Sequence, residues 1–348
     1  MTEQTLTPPA ITKALENCTY CPKLCHYACP VAAVEGNETV TPWGLMSVMN
    51  LTRKGEIPFD QKTAALAYQC THCGACTEAC ALGNPVPAAL NHFRERAFAA
   101  GIVPAGAKET SLHFRKRSNP YGIDLLTKLQ RTFGQEEMAE KGDPVVYFPG
   151  CTETEFFPEN IKSFLNVVGR LNHFPVPLYP GEIQCCGYPL YAAGDRDGFR
   201  EIAEIMSHAL AEYDTIVTAD PVCFTTLTTL YREAGFPIKK KILHRSEFLA
   251  PLLPEGFSVV EDKKIFLHDG CFLNGKHCCG AGGLFPVTSP KVSRAMAEAI
   301  LTESAAAGAR TLVTDSPTCE LQLKGCHSKE IHVKNLIRVI EGNLVQKP

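Results

Sequence analysis

The distribution of seventeen cysteines constrains this sequence more than any other feature. Eight lie between Cys18 and Cys80, none lies between residues 81 and 150, and nine lie between Cys151 and Cys326. The gap indicates a domain boundary.

The beginning of the sequence lacks the basic and apolar stretches of a secretory signal. We therefore expect a cytoplasmic protein, in a reducing compartment where clustered thiols bind metal or do redox chemistry.

Length and composition narrow the class of protein. A chain of 348 residues exceeds one ordinary hydrophobic core, which predicts several domains. Its 45% hydrophobic and 20% charged residues are typical of globular domains and exclude a disordered chain. The formal net charge of −3 does not favour nucleic acid as a partner. No apolar segment reaches the roughly 18 residues of a membrane span, so any membrane association would come through a partner protein.

The first eight cysteines form two motifs. The motif C-x2-C-x3-C-x3-C-P comprises Cys18, Cys21, Cys25, Cys29 and Pro30, and the motif C-x2-C-x2-C-x3-C comprises Cys70, Cys73, Cys76 and Cys80. In the second spacing, which bacterial ferredoxins share, three thiolates bind one cubane and the fourth binds the other cluster. We therefore predict two 4Fe-4S clusters with crossed ligands, one on Cys18, Cys21, Cys25 and Cys80, the other on Cys29, Cys70, Cys73 and Cys76.

Structural zinc is the alternative for these thiols, because zinc also takes four thiolates in paired C-x2-C spacing. The spacings favour iron–sulfur clusters. His26 and His72 lie inside the cysteine loops, and we interpret both as solvated loop residues rather than residues that tune a reduction potential. Trp43 is interpreted as core packing.

The later cysteines follow an internal repeat. An apolar run ending in Gly-Cys occurs at residues 145–151 and again at 265–271, and each copy continues with Cys-Cys-Gly, a helical stretch, a second apolar run and a final cysteine. The first copy holds Cys151, Cys185, Cys186 and Cys223, and the second holds Cys271, Cys278, Cys279 and Cys319. The tails also align, with His244 opposite His332, and both are interpreted as structural. Cys326 has no counterpart and is interpreted as a spare thiol.

The repeat predicts the fold. Runs of four to five apolar residues read as buried strands, and Ile161, Phe164 and Val168 have helical spacing. The βαβ alternation predicts parallel sheets. The cysteines that follow strands, Cys151, Cys223, Cys271 and Cys319, should gather at the carboxyl ends of the strands, with each Cys-Cys-Gly turn beside them. Residues 42–52 and 62–68 read as helices instead. The fold class is therefore an α+β multidomain chain, with a helical two-cluster ferredoxin domain followed by two α/β Cys-Cys-Gly modules.

We place the domain boundaries from these patterns. The helical dicluster ferredoxin domain spans residues 1–110, a linker or helical connection spans 111–143, the first Cys-Cys-Gly module spans 144–256, and a shortened second module spans 262–348. The polar residues 108–120 favour a solvated connection.

The modules and the preceding ferredoxin motifs resemble heterodisulfide reductase-related proteins, and the iron–sulfur subunits of glycolate oxidase and anaerobic glycerol-3-phosphate dehydrogenase. The resemblance covers nearly the whole chain. It implies a further cluster on the four cysteines of each module. It also implies electron transfer between a partner flavoprotein dehydrogenase, or another redox subunit, and an acceptor.

The sequence departs from that family in two places. Asp220 and Ser316 replace the first cysteine of the family's final C-x2-C pair, so each module has four thiols instead of five. Four thiolates suffice for a cubane, but a five-thiolate cluster of the disulfide-cleaving kind would lack a ligand. In addition, Cys271 and Cys278 are seven positions apart, against 34 in the first copy, so the second module is expected to present its thiols differently and to be either empty or mainly scaffold.

Three functions follow as hypotheses. The first is an iron–sulfur electron-transfer subunit of an oxidoreductase complex, the second is a thiol–disulfide reductase acting at the modules, and the third is a zinc-bearing interaction module. No G-x-G-x-x-G motif follows a predicted strand, so the sequence shows no sign of its own flavin or nicotinamide site. This absence favours the first hypothesis.

Overall fold

The computed structural model describes residues 8–140, 142–171, 174–259, 264–274, 277–326 and 330–344. The helices before the first strand are α1 (Pro9–Thr19), α2 (Pro30–Glu35), α3 (Pro42–Lys54), α4 (Gln61–Ala67), α5 (Ala75–Glu78), α6 (Val86–Ala99), α7 (Ala105–Arg117) and α8 (Leu125–Phe133). The elements of the first repeat are β1 (Val145–Phe148), α9 (Gly150–Phe156), α10 (Pro158–Arg170), α11 (Tyr188–Ala193), α12 (Arg196–Leu210), β2 (Thr215–Thr218), α13 (Pro221–Thr225), α14 (Tyr231–Glu233), β3 (Lys241–His244) and α15 (Arg245–Leu249). Those of the second are β4 (Ile265–His268), α16 (Cys271–Asn274), α17 (Phe285–Thr288), α18 (Pro290–Ala306), β5 (Thr311–Thr314), α19 (Pro317–Lys324), β6 (His332–Asn335) and α20 (Leu336–Asn343).

The chain divides into two compact units, and both are discontinuous in sequence. Unit 1 comprises the described residues of Met1–Leu112, Pro189–Gly198 and Asn274–Ala299. Unit 2 comprises those of His113–Tyr188, Phe199–Leu273 and Ile300–Pro348. Unit 1 thus contains a segment that follows the first Cys-Cys-Gly turn and a segment that includes the second. The domain boundaries drawn from the sequence stay a prediction.

The helices of unit 1 begin and end at local signals. In α3, the Thr41 side chain accepts a hydrogen bond from the Gly44 amide, Pro42 occupies the first turn, and Gly55 ends the helix in the left-handed region. In α4, Asp60 caps the first turn by accepting from the Thr63 amide. Both predicted N-terminal helices are confirmed.

Helical spacing brings the apolar side chains of unit 1 onto one core. Leu15 of α1, Met46 and Met49 of α3 and Phe93 of α6 are fully buried and pack in one cluster. Two of the predicted cluster ligands, Cys18 and Cys76, belong to the same cluster of buried residues. The helices therefore place the cysteine motifs against an apolar interior. The polar stretch predicted as a solvated connection is largely helical, because α7 covers it as far as Arg117.

Unit 2 contains two three-stranded parallel sheets, in the orders β1-β2-β3 and β4-β5-β6. The predicted parallel α/β architecture is confirmed. Helix α10 buries Ile161, Phe164 and Val168 as the spacing predicts. The strand ends align in register: Phe148 with Thr218 and then His244 in the first sheet, and His268 with Thr314 and then Asn335 in the second.

The predicted equivalence of His244 and His332 is wrong. His244 ends β3, whereas His332 begins β6, and the residue that ends β6 is Asn335. The true counterpart lies three residues beyond His332, because the apolar residue before His332 precedes β6 and does not belong to it. His244 is structural as predicted, since its ring nitrogens lie 2.6 Å from Ser246 Oγ and 2.9 Å from the Ala219 carbonyl oxygen.

Candidate metal centres

One cavity of unit 1 collects thiols from both N-terminal motifs. It is lined by Cys18, Cys21 and Cys25 of the first motif and by Cys80 of the second. The short 3-10 turn Leu24–Ala28 carries Cys25, and Cys18 lies in the last turn of α1. Trp43 lies on the wall of this cavity, with Lys23 Nζ 4.0 Å from the centre of its ring, so its surroundings are not simply core packing.

A second cavity of unit 1 collects the remaining thiols of the two motifs. It is lined by Cys29, Cys70, Cys73 and Cys76. Cys29 precedes α2, whose first residue is Pro30, while Cys76 lies in α5 and contributes to the walls of both cavities. Each cavity thus holds the four thiols predicted for one cluster, and the first cavity has Cys76 beside them. At least four thiol donors around each cavity fit a cubane cluster, and which thiols bind which cluster stays a prediction.

Burial raises the pKa values of several of these thiols, Cys18 and Cys29 among them. The pKa of Cys18 rises to about 11 and that of Cys29 to about 12, in both cases because burial disfavours the thiolate and neighbouring thiols add repulsion. Such groups are protonated near neutral pH without metal, and a bound cation must displace the protons. The sites are therefore built for a cation that compensates several thiolates at once.

Two polar groups contact the cluster thiols and were missed in the sequence. Asn84 Nδ2 donates to Cys18 Sγ at 3.2 Å, and the His72 amide donates to Cys70 Sγ at 3.4 Å. Hydrogen bonds to ligand sulfurs stabilise the reduced cluster and raise its potential. Nothing in the spacing marks Asn84, which lies four residues beyond Cys80.

The interpretation of His72 as a solvated loop residue is wrong. Its side chain is buried, and its ring packs edge-on against Tyr191 with centroids 5.8 Å apart. Burial, with the positive charge of Arg94 as a second cause, lowers the pKa of His72 well below its usual value, so the imidazole is neutral. By contrast, His26 is partly exposed and lies 3.4 Å from Glu38.

Arg94 holds the second ferredoxin motif to the later segments of unit 1. Its side chain is fully buried, and it donates to the carbonyl oxygens of Ala67 at 2.9 Å and Cys70 at 2.6 Å. The Nη1 atom donates to the carbonyl oxygens of Ala192 at 2.9 Å and Gly283 at 3.0 Å. Ala192 and Gly283 follow the first and second Cys-Cys-Gly turns, so one guanidinium joins the ferredoxin motif to both repeats.

The second Cys-Cys-Gly turn contacts the ferredoxin motif directly. Cys278 Sγ donates to Thr71 Oγ1 at 3.3 Å. The pKa of Cys73 is raised well above its usual value, chiefly by a hydrogen bond with Cys278 and then by burial. A predicted ligand of the second module therefore lies against a predicted ligand of the N-terminal clusters. The sequence grouped Cys278 only with the cysteines of its own module.

The four thiols of the first module converge in unit 2. Cys185 Sγ lies 3.2 Å from Cys151 Sγ, and Cys186 is within hydrogen-bonding reach of both Cys185 and Cys223. Hydrogen bonds from those two thiols lower the pKa of Cys186 well below its usual value, which favours its thiolate. All four are buried, with exposed fractions of 7% or less. This convergence is the one predicted from the repeat.

Gly150 is required for this approach. Its φ is +78°, and a Cβ at this position would lie 3.0 Å from Cys223 Sγ. A side chain here would meet both backbone strain and the thiol cluster. The Gly-Cys element of the repeat is therefore explained by close packing at the strand end.

The thiols of the second module divide between the two units. Cys271 and Cys319 belong to unit 2, at the strand ends that the repeat predicts, whereas Cys278 and Cys279 belong to unit 1. All four are buried. Cys326 is partly buried, and its Sγ lies 3.6 Å from the Gln322 carbonyl oxygen.

Asp220 and Ser316, which replace the fifth thiols, cap the helices that carry the final cysteines. Asp220 accepts from the Val222 amide at 3.0 Å, and Ser316 accepts from the Cys319 amide at 3.2 Å. Asp220 also accepts from the amide and hydroxyl of Thr318, at 2.9 and 2.6 Å. Burial raises the pKa of Asp220 to about 6. These positions thus stabilise helix starts and join the two repeats within unit 2.

A buried network of charged and polar side chains in unit 2 joins helix α9, which carries Cys151, to the ends of β5 and β6. Arg245 is 1% exposed and donates to Glu153, to Asp315 at 2.8 Å and to Asn335 at 2.6 Å. Glu153 lies two residues after Cys151 and also accepts from the Tyr147 hydroxyl at 2.6 Å. The network fixes α9 against the second sheet. No sequence pattern marks it, because its members are widely separated along the chain.

Comparison with known families decides the class. Residues 14–84 match the family described as a 4Fe-4S dicluster domain, and residues 145–228 and 265–324 match the family described as a cysteine-rich domain, CCG. The chain carries a 4Fe-4S dicluster domain followed by a repeated cysteine-rich CCG domain. The family resemblance predicted from the cysteine modules, and the 4Fe-4S clusters predicted from the first motifs, are confirmed.

Curated proteins similar to this chain include, by name, one reductase subunit and one iron–sulfur protein. A fumarate reductase (CoM/CoB) subunit of Methanothermobacter marburgensis is 24% identical, over 95% of this chain and 72% of its own length. An uncharacterized iron–sulfur protein of Methanococcus maripaludis is 24% identical, over 79% of this chain and 62% of its own length. Lactate utilization protein A of Shouchella clausii is 25% identical, over 57% of this chain and 98% of its own length. These similarities bear out an electron-transfer subunit.

Within the described ranges, no helix combines the length and the apolar character that crossing a membrane requires.

Proposed function

We propose that this Cys-Cys-Gly protein relays electrons between a partner flavoprotein dehydrogenase and an acceptor, as one subunit of an oxidoreductase complex. Bound 4Fe-4S clusters supply one-electron oxidation and reduction. The observation that carries the proposal is the pair of neighbouring cavities in unit 1, one lined by five thiols and the other by four, each drawing on both motifs and both bordered by Cys76. The proposal keeps the cytoplasmic location predicted from the sequence.

A flavoprotein is the partner that fits this chemistry. Oxidation of a small metabolite delivers two electrons, usually as a hydride, and a flavin is the cofactor that accepts them together and releases them singly. The sequence shows no dinucleotide fingerprint of its own. The Methanothermobacter marburgensis relative is by name one subunit of a reductase, which supports a role within a larger enzyme.

The contacts of the second module support a route by which electrons leave the N-terminal clusters. Within unit 1, the Cys278 thiol touches Thr71 and lies in hydrogen-bonding contact with Cys73. A redox centre that used Cys278 would therefore adjoin the N-terminal centre that uses Cys73. We expect the Cys-Cys-Gly turn to be where electrons leave the ferredoxin domain.

Metal analysis of anaerobically purified protein tests the relay. We expect at least about eight iron and eight sulfide per chain, the content of two cubanes, and rhombic EPR signals after dithionite reduction. Cys73→Ser should remove about four of each, whereas Cys326→Ser, outside both cavities, should retain them all. Anaerobic affinity purification should recover a flavoprotein whose substrate bleaches the clusters. Protein that is colourless, or that holds zinc in their place, would contradict the proposal.

A second candidate function is thiol–disulfide reduction at the first module. It is favoured by the hydrogen bonds that stabilise the Cys186 thiolate, and by the thiol cofactors CoM and CoB in the name of one relative. The burial of all four thiols weighs against it, because a disulfide substrate needs access to the attacking sulfur. Turnover of the CoM–CoB heterodisulfide with reduced viologen, abolished by Cys186→Ser, would establish it in place of the relay.

A further inference from the structure

His268 is a buried histidine whose ring has no hydrogen-bond partner among the described residues. It is 2% exposed, and neither Nδ1 nor Nε2 is paired. Buried ring nitrogens are normally satisfied, because an unpaired one loses its hydration without compensation. His244 shows the ordinary arrangement in the same unit, with both nitrogens in hydrogen bonds. The ring of His268 is therefore available to a ligand.

The position of His268 supplies the neighbours that a metal needs. His268 is the last residue of β4 and lies in register with Thr314, the last residue of β5. The helix that follows β5, α19, carries Cys319. A ring nitrogen of His268 and the Cys319 Sγ lie within 4.8 Å of each other. Cys271 begins α16 three residues after His268, at the same strand end. Imidazole and thiolate are the donors that iron–sulfur centres and zinc both accept.

The first module shows that the fold does not require a histidine here. Phe148 ends β1 at the position that His268 occupies in β4, since both pair with the final threonine of the next strand. Phe148 is fully buried, and its ring packs edge-on against Tyr179. A polar ring at the equivalent place in the second module therefore needs a separate reason.

We propose that His268 is a ligand of an iron–sulfur cluster in the second module, in company with Cys271 and Cys319. This inference rests on the proposed relay function. A neutral imidazole in place of a thiolate removes one negative charge from the centre, which stabilises the reduced form and raises the potential, as histidine ligation does in Rieske centres. The cluster of the second module then has the highest potential in the series of redox centres, and electrons collect there before they pass to the acceptor.

Isotope labelling tests the ligation directly. In protein labelled with 15N only at histidine and partly reduced, pulsed EPR should detect 15N hyperfine coupling at a cluster. His268→Phe, which copies the residue of the first module, should abolish the coupling and the iron of that centre. His332→Ala changes an exposed histidine of the same unit and should alter neither. A loaded second-module cluster without 15N coupling, or coupling that persists in His268→Phe, would overturn the inference.

A thiolate variant tests the effect on potential. His268→Cys should retain the iron but lower the potential, with the equilibrium constant for reduction falling at least tenfold, which is about 59 mV for a one-electron couple. An unchanged potential would refute the proposed tuning, and zinc that is lost in His268→Phe would refute the iron–sulfur assignment. The eight N-terminal irons should be present in every variant. Their absence would instead refute the relay itself, so the two failures are distinguishable.

Discussion

At the scale of single residues, Arg94 shows how much one buried charge can organise. Its guanidinium donates to four carbonyl oxygens in three separate segments of unit 1 and stacks over Tyr68 at 4.9 Å. Tyr68 in turn donates to the Ala193 carbonyl oxygen at 2.8 Å. Charge-assisted hydrogen bonds are stronger than neutral ones, and a buried acceptor left without its donor costs about 1–3 kcal/mol. The loops that carry Cys70 and the later segments therefore depend on this side chain.

We predict that Arg94→Gln lowers the free energy of unfolding by about 3 kcal/mol or more, because several buried carbonyl groups lose their donor at once. Urea titration of the anaerobic protein, followed by visible absorption and circular dichroism, measures the change. Arg294→Gln is the matched control, since Arg294 is an exposed helical residue paired with Glu298 and should change stability by less than about 0.5 kcal/mol. Equal midpoints for the two variants would refute this role of Arg94.

Asp220 is a second residue whose role only its contacts reveal. It accepts hydrogen bonds from the first turns of both α13 and α19. We predict that Asp220→Ala destabilises the protein by about 2 kcal/mol or more, from the lost cap and the unsatisfied amides. Asp220→Asn, which keeps one side-chain oxygen as an acceptor, should cost less. Thermal unfolding monitored by circular dichroism ranks the two, and a larger loss for Asn than for Ala would contradict the capping explanation.

At the scale of elements, the turn after the second Cys-Cys-Gly motif approaches the ferredoxin loop more closely than any side chain would allow. Gly283 has φ of +62°, and a Cβ there would collide with the Cys70 carbonyl oxygen and lie 3.0 Å from Thr71 Cα. The same glycine offers its carbonyl oxygen to Arg94. At Gly283 the contact with the loop is therefore made by backbone atoms.

We predict that Gly283→Ala displaces the loop that carries Cys70 and reduces the iron content of the second N-terminal cluster. Gly308→Ala is the control, because it introduces the same backbone strain without a collision. Gly308 has a similar φ of +77°, and no atom of the described residues lies within 4 Å of the place that a Cβ would take. That control should lose about 1 kcal/mol of stability and no iron. Iron and sulfide assays with EPR check the difference, and equal iron in the two variants would contradict the collision argument.

At the scale of the whole molecule, the repeat and the ferredoxin motifs are interleaved in unit 1. The segments 189–198 and 274–299 are part of its compact fold, although they come from the repeated region of the sequence. They supply the Ala192 and Gly283 carbonyl acceptors of Arg94 and the Ala193 acceptor of Tyr68. The N-terminal cysteines thus depend on residues far along the chain.

We predict that a fragment ending at Leu112 holds its clusters less securely than the full chain, because it lacks those two segments. The second cluster, on the side of Cys70 and Cys73, should be lost at a lower urea concentration than in the intact protein. Visible absorption and EPR during anaerobic titration measure this order of loss. A fragment as resistant as the full chain would show that the later segments do not support the ferredoxin fold.

The sequence by itself determined the features that depend on local spacing. Cysteine spacing predicted the crossed sets of thiols, because three ligands of a cubane must lie within one tight loop. Short apolar runs alternating with helical periodicity predicted β1, β2, β4 and β5 and their parallel arrangement, because a run of four or five apolar residues between helical segments is typical of a strand in a parallel sheet. Each of these signals depends on residues that are close together in the sequence, so it can be recognised without knowledge of the fold.

Only the tertiary structure decided which distant residues share an environment. It buried His72, placed Cys278 against Cys73 and moved the counterpart of His244 from His332 to Asn335. It also placed the ring of His268 beside Cys319, with no hydrogen-bond partner in the part of the chain that the structure describes. Each outcome depends on packing between segments tens or hundreds of residues apart. Spacing and periodicity carry no information about such contacts, because a side chain's partners across the fold are set by how whole elements dock.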